Sequence, residues 1–367
     1  MLSNWFGRNV YCLLGLPLDM VDMADAVHQV RSAAAQRTPC FITTPNLNFL
    51  IACRADTQFR NSVIDSDLSL VDGMPLVWMA RLLGIPIRER VAGSDMFEQL
   101  KTGSPNRISV YFFGGIDGVA EMACRRINEE KLGIECVGFE YPGFLSIQEM
   151  SSEESIGKIN ASGADFLVVS LGARKGQAWI EKNRARISVP VISHLGAVIN
   201  FVAGRVDRAP AIISRSGLEW LWRIKEEPGL WLRYISDGFG LLRLMFTRVL
   251  PYAWFMFRHK PEVQEMNGAT IELLDEGGEI IIRLRGTWVK ENLMPLRKAF
   301  YSIESASKNV RVELEHVSYV DSAFIGLLLL LYGDRKRQGK EMSVCSLNKK
   351  VRQLFRYMCV EFLIEVQ

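Results

Sequence analysis

Asp72 ends the apolar run Leu68-Ser-Leu-Val71 and is followed by Gly73-Met-Pro75, so a single carboxylate stands where a strand gives way to a turn. In an open α/β sheet, ligands bind outside the carboxyl ends of the strands, and a carboxylate at that edge is placed to act as a general base. The competing reading is a turn-forming or helix-capping Asp without chemistry. A junction of the same kind precedes it: Pro39-Cys-Phe-Ile-Thr-Thr44 reads as a buried strand and Pro45-Asn46-Leu-Asn48-Phe-Leu-Ile-Ala52 as the helix that follows. Thr44 and Asn46 then offer a hydroxyl and a carboxamide to a sugar or diphosphate, beside a helix N-terminus that favours an anion. Capping by Thr44, with Pro45 starting the helix, explains the same residues without a ligand. At Phe113-Gly114-Gly115-Ile-Asp-Gly118 the glycines either let backbone N–H groups approach a diphosphate or serve a tight strand-to-helix turn. The run lacks a full GxGxxG and a later acidic partner, which argues against a nicotinamide cofactor. Asp65-Ser-Asp67 imitates a metal-binding DxD, a spacing common by chance, and neither metal nor cofactor is expected.

The elements that must carry these residues alternate. Strand-like runs at Val10–Leu14, Phe41–Thr43, Leu68–Val71, Ile108–Phe113, Ile134–Gly138, Phe166–Leu171 and Val189–Ser193 are separated by amphipathic stretches such as Val119–Glu130. That order predicts a mostly parallel sheet covered by helices on both faces, ending before about residue 235. After the polar stretch 258–266 the pattern changes. A hairpin is expected around Asp275-Glu-Gly-Gly278, then a helix near 291–305, strand Val310–Leu314, a helix from Ala323, strand Met342–Cys345 and a last helix near 349–358.

With 367 residues, 49% of them hydrophobic, the chain is expected to build two domains. A net charge of +3 and the lack of a basic, aromatic-interleaved block argue against nucleic acid. The seven cysteines, scattered and without a CxxC pair, read as buried thiols of a reducing cytosol, with no disulfide and no metal site. Met1–Arg8 does not have the pattern of an export signal. The apolar stretch Gly238–Phe257 is interrupted by Arg243, Arg248 and Pro251, so spanning a bilayer is not expected. With Trp231, Arg233, Arg258, His259 and Lys260 around it, it suits a helix lying in the membrane interface, or else a hydrophobic helix packed on protein.

In order, Thr44-Pro-Asn46, Asp72-Gly-Met-Pro75, Arg90-Val-Ala-Gly-Ser-Asp95, Phe113-Gly-Gly115, Tyr141-Pro-Gly-Phe144, Leu171-Gly172, Gln177 with Trp179, Phe201-Val-Ala-Gly204, Arg208-Ala-Pro210 and Gly217–Arg223 resemble the WecG/TagA/CpsF family of bacterial glycosyltransferases. The resemblance, over roughly residues 10 to 235, implies a Rossmann-like α/β domain at 1–235. It also implies inverting transfer of a sugar from a UDP-sugar onto a polyprenyl-diphosphate-linked saccharide at the inner face of the cytoplasmic membrane. Asp72 would be the base and Thr44, Asn46, Gly114, Gly115, Gln177, Arg208, Arg223 and Arg233 the substrate-binding set, with the arginines stabilising the leaving diphosphate. Salt bridges of those arginines to Glu219, Glu226 and Glu227 are the competing account. Arg174-Lys-Gly176-Gln177, His194 and Asn200 depart from the family pattern near the expected pocket, leaving the donor sugar open.

Residues 267–367 resemble the small α/β STAS domain, chiefly through Val320-Asp-Ser322-Ala-Phe-Ile-Gly326, with 236–266 as a membrane-associating or linking segment. The resemblance makes Ser322 either a phosphorylated switch with a protein partner or a plain helix cap. A non-enzymatic regulator with a decayed transferase half is the rival reading of the whole chain.

Overall fold

The computed structural model describes every residue except 1–4, 103–105, 211–212, 214–216, 260, 262–265 and 366–367, so Lys260 lies outside the described residues. The chain opens with β1 (Val10–Leu13) and β2 (Leu16–Asp19), α1 (Met23–Gln36), β3 (Cys40–Thr43), α2 (Leu47–Ala55), α3 (Thr57–Ile64), β4 (Leu68–Ser69), α4 (Met74–Leu82) and α5 (Gly93–Leu100). There follow β5 (Ile108–Gly114), α6 (Val119–Glu130), β6 (Ile134–Glu140), α7 (Glu153–Ala161), β7 (Phe166–Ser170), α8 (Ala173–Asn183), β8 (Val191–His194) and α9 (Val198–Val202). Six of these strands form one parallel sheet in the order β4-β3-β8-β7-β5-β6.

The two-residue side-chain period shows why the sheet carries helices on both faces. Along β5, Val110 and Phe112 enter one core with Phe97 and Ala123, while Tyr111 and Phe113 enter the other with Ile159 and Trp179. Because every strand runs the same way, the ends of β3, β4, β5, β7 and β8 lie on one edge of the sheet.

The strand expected at Val10–Leu14 forms but does not join this sheet. It pairs antiparallel with β2, Leu13 opposite Leu16. The loop is Leu14-Gly15, both at positive φ (50° and 93°), which suits the twist of a two-residue hairpin. Unbroken apolar sequence on both sides of a Leu-Gly turn hid it.

After α10 (Glu219–Glu226), α11 (Trp231–Leu244) runs through a π-helical turn at Met245–Val249 into α12 (Leu250–Arg258), so the boundary expected at 235 falls inside a helix. Among the described residues no helix is long and apolar enough to cross a membrane.

A separate four-stranded sheet, β12-β11-β10-β9, completes the chain: β9 (Thr270–Glu276), β10 (Glu279–Trp288), α13 (Met294–Ile303), β11 (Asn309–Val320), α14 (Ser322–Arg337), β12 (Met342–Cys345) and α15 (Lys349–Tyr357). The expected hairpin and the strand–helix order after it are present. Helix α14 is apolar all round, with Leu327 to Leu331 fully buried. One side lies on its own sheet and the other on β1, so the hairpin and the C-terminal sheet share a core. Arg337 on α14 pairs with Asp65 and Asp67, and the Trp5 indole donates to Leu330 O at 2.8 Å. The DxD-like pair is thus engaged by Arg337, with Arg184 also on Asp65.

Two expectations are corrected here. Cys124 and Cys136 form a disulfide, with Cα atoms 5.1 Å apart, because α6 turns straight back into β6 and sets the two side chains face to face. A separation of 12 residues carries no CxxC signal. Ser322 is 5% exposed and its hydroxyl donates to Cys12 O at 2.7 Å, while Asp321 caps α14 by accepting from the Phe324 N–H at 2.8 Å. The hydroxyl expected to take a phosphate therefore faces the hairpin rather than solvent.

A Cβ on Gly326 would lie 2.8 Å from Val10 O, an approach that only glycine permits. Gly326→Leu is expected to destabilise the chain by about 3 kcal/mol, the upper range for overpacking. Gly157→Ala, on an open face of α7 with no atom within 4 Å of the new Cβ, should instead stabilise it by about 0.5–1 kcal/mol. Urea unfolding of both variants checks the pair.

Candidate active site

Strand β3 runs on into Thr44-Pro45-Asn46, and the chain after β4, its neighbour, continues through Leu70-Val71 to Asp72. The Asp72 N–H donates to Pro45 O at 2.9 Å, tying the two loops together. Gly73 follows at φ 154°, and a Cβ there would touch Asn46 Cβ at an ordinary 3.5 Å, so the turn sets the two loops in contact. Gly93, at the start of α5, presses on the same place: its Cβ would stand 3.1 Å from Thr44 Cγ2. Thr44, Asn46 and Asp72 therefore converge, as their positions at strand ends require.

Asp72 is partly buried, and its carboxyl is pushed from 3.8 up to about 7. Desolvation is the principal cause; Arg90 and the Gly93 N–H pull the other way, while Glu219 and Asp95 push it up further. Arg90 holds this cluster, pairing with Asp95 at 2.7 Å and with Glu219. Asp95 in turn meets Arg208 at 3.5 Å. The result is a chain of alternating charge, Asp72, Arg90, Asp95, Arg208, reaching from the strand edge to the segment after α9. Arg90 and Asp95 were given no role from sequence, although they sit in a motif already singled out, and Glu219, expected as a partner of Arg208, Arg223 or Arg233, pairs with Arg90 instead.

The arginines divide. Arg208 is also held by Glu98 at 3.5 Å and by the Ser94 carbonyl, and Arg223 by Glu227 at 3.1 Å. Both guanidinia stand over the Phe201 ring, at 5.4 and 6.0 Å. Arg233 is exposed on α11 over Tyr234 and has no carboxylate within ion-pair reach among the described residues. Its helix is bound to the site by Asn48, whose amide donates to the buried Asp237 at 3.1 Å.

Asn46, not Thr44, caps α2, accepting from the Phe49 N–H at 3.1 Å. Its amide NH₂ remains able to donate. Gly114 and Gly115 lie at the end of β5, four strand positions from β4 and so roughly 19 Å along the edge from Asp72. Their positive φ values serve the turn, and the Gly115 N–H is taken by Ser170 O at 2.7 Å, which corrects the expectation that it faces a diphosphate. Gln177 on α8 is 1% exposed, and neither end of its amide has a partner among the described residues. A buried unpaired amide is the state of a group suited to a polar ligand.

The departures at 176 and 194 explain one another. A Cβ on Gly176 would fall 2.1 Å from His194 Cδ2, so the imidazole occupies the space that any larger residue at 176 needs. Burial lowers the His194 pKa, and the neutral ring donates to Leu171 O.

The model of the WecG/TagA/CpsF family of glycosyl transferases matches residues 11–253, more than half of the chain. The chain belongs to this family. A second model, described as Mlab, STAS domain, matches residues 273–365, so the C-terminal sheet with α14 is a STAS domain. Curated relatives carry the name N-acetylglucosaminyldiphosphoundecaprenol N-acetyl-beta-D-mannosaminyltransferase. The one from Bacillus spizizenii is 28% identical over 60% of this chain and 86% of its own length, and that from Staphylococcus aureus is 22% identical over 58% and 82%. Among solved structures, the phosphorylated Bacillus cell-fate determinant SpoIIAA aligns over 26% of this chain and 89% of its own at 15% identity, with a TM-score of 0.23, too slight a likeness to build on.

A carboxyl raised on folding keeps its proton more tightly than in the unfolded chain. The stability it contributes is complete below about pH 4 and is lost as pH rises through about 7. Asp72→Asn should therefore melt higher than the parent at pH 8, with the difference shrinking toward zero near pH 4 in calorimetry.

Proposed function

We propose that this glycosyltransferase moves a sugar, with inversion, from a UDP-sugar onto a polyprenyl-diphosphate-linked saccharide, with Asp72 as general base. The observation that carries the reading is a desolvated carboxyl at the carboxyl edge of the parallel sheet, pushed up to about 7 and flanked by Thr44 and Asn46. A base of that strength is half ionised near neutral pH and still holds an abstracted proton well. The acceptor hydroxyl gives its proton to an Asp72 oxygen as its own oxygen bonds to the anomeric carbon. The bond from that carbon to the diphosphate oxygen breaks, and the electron pair leaves on UDP. Arg208, Arg223 and Arg233 then bear on the diphosphate charge, the first two by exchanging their present carboxylates for it. The relatives, named as transferases onto N-acetylglucosaminyldiphosphoundecaprenol, support an acceptor of this class. The Gly176–His194 exchange bears on which donor sugar fits.

A lipid-linked acceptor requires a membrane surface, and α11 and α12 supply the means. Trp231, Leu232, Ile235, Phe239, Leu242, Phe246, Leu250, Trp254 and Phe257 form an exposed apolar row at helical spacing, with Phe239 at 71% and Phe257 at 81% exposure. Arg233, Arg243 and Arg258 stand beside it, so the row fits the acyl boundary and the arginines fit anionic headgroups. The decayed-transferase reading has no support in a site that retains its carboxyl, its loops and its ion pairs.

Asp72→Asn should lower UDP release from UDP-sugars with lipid-linked acceptor by about 10²-fold or more, and remove the rise of kcat/KM through pH 7. Phe239→Glu with Phe246→Glu should abolish flotation with anionic vesicles while leaving the melting temperature unchanged, since both rings are already exposed.

A further inference from the structure

A cavity of about 1490 Å³ opens where three parts of the chain meet, at the end of α2 away from Asn46. Its walls are the last turn of α2, the face of α11 and α12 running from Gly240 to Pro251, and α15 with the end of β12 in the STAS domain. Arg54 lies eight residues along α2 from Asn46, or about 12 Å, so this space is apart from the transfer site.

The charge on its lining is one-sided. Arg54, Arg243, Arg248, Lys349, Arg352 and Arg356 line it, against Glu361 and Glu365. Glu361 is engaged by Arg248 at 3.3 Å, and Glu365 leans toward Arg311 outside the cavity at 3.9 Å. Arg54, Arg243, Lys349, Arg352 and Arg356 have no carboxylate within ion-pair reach among the described residues. Among the described residues, arginines without a carboxylate in ion-pair reach occur elsewhere too, Arg60 and Arg233 among them, but here five such cations share one lining. Five unpaired cations around one walled space repel each other and raise its potential, an arrangement that a multiply charged anion relieves. Guanidinium forks and an ammonium suit phosphate oxygens above other anions. The volume exceeds the roughly 300–1,000 Å³ of ordinary small-molecule sites, and Leu244, Pro251 and Tyr357 add an apolar wall, so the ligand has room for more than a bare phosphate.

We propose that this junction cavity is a second anion site that takes phosphate groups, either those of a free diphosphate compound or the headgroups of anionic lipids. The first source needs no part of the sugar-transfer reading. The second rests on the membrane contact, because the exposed apolar row lies on a neighbouring face of the same α11 and α12. Bound there, the ligand bridges the transferase domain, the α11–α12 segment and the STAS domain.

The test uses the full chain, titrated calorimetrically with inorganic diphosphate and floated with phosphatidylglycerol or phosphatidylcholine vesicles. Arg352→Gln with Arg356→Gln changes two exposed side chains of α15, and Lys349→Gln, also exposed, repeats the test singly. Arg208→Gln with Arg223→Gln controls for diphosphate bound at the transfer site. The α15 pair should weaken diphosphate binding at least tenfold, or remove the preference for phosphatidylglycerol, while the control pair leaves that component in place. Loss confined to diphosphate assigns a free anion and loss confined to vesicles a lipid headgroup. If the α15 pair and Lys349→Gln both bind diphosphate and phosphatidylglycerol vesicles as the parent does, the cavity is not an anion site and the proposal falls.

Discussion

The structure turns on a carboxylate withheld from water. Asp72 has a helix N-terminus and an arginine nearby, both of which favour its ionised form, yet desolvation outweighs them and the carboxyl titrates near neutrality. That balance depends on distant parts of the chain. Arg90 would lower the pKa further were it not shared with Asp95 and Glu219, and Glu219 comes from a helix beyond the whole parallel sheet. The charge chain through Arg208 thus couples the ionisation of Asp72 to the segment after α9, which carries two of the arginines proposed to meet the diphosphate.

The two domains are joined more closely than their separate sheets suggest. Helix α14 belongs to the STAS fold but serves as core for β1 as well, and the Gly326 approach and the buried Ser322 hydroxyl both arise from that contact. A surface that the resemblance would reserve for a phosphate-controlled partner is taken by the chain's own hairpin. The cation-lined wall of α15, by contrast, stays open.

Much of this was legible in the sequence where a single element decides the outcome. The apolar runs gave the six strands of the parallel sheet, and polar residues at strand ends put Thr44, Asn46 and Asp72 on one edge of it. What was hidden depends on two elements meeting. The Leu14-Gly15 turn has no Asn or Asp to mark it, and the Cys124–Cys136 bridge follows from α6 folding back on β6. The roles of Arg90 and Asp95 need Glu219 beside them, the glycine at 176 makes sense only against His194, and the Gly115 N–H could be assigned only once Ser170 was seen to hold it. Neighbourhood across the sheet edge, rather than spacing along the chain, fixes each of these.

The most direct test is the titration of the Asp72 carboxyl itself. In protein carrying ¹³C-labelled aspartate carboxyls, with Asp72→Asn identifying the resonance, the chemical shift followed from pH 3 to 9 should show a midpoint near 7. A midpoint near 4, the value of a solvated carboxylate, would contradict the desolvated base on which this account stands.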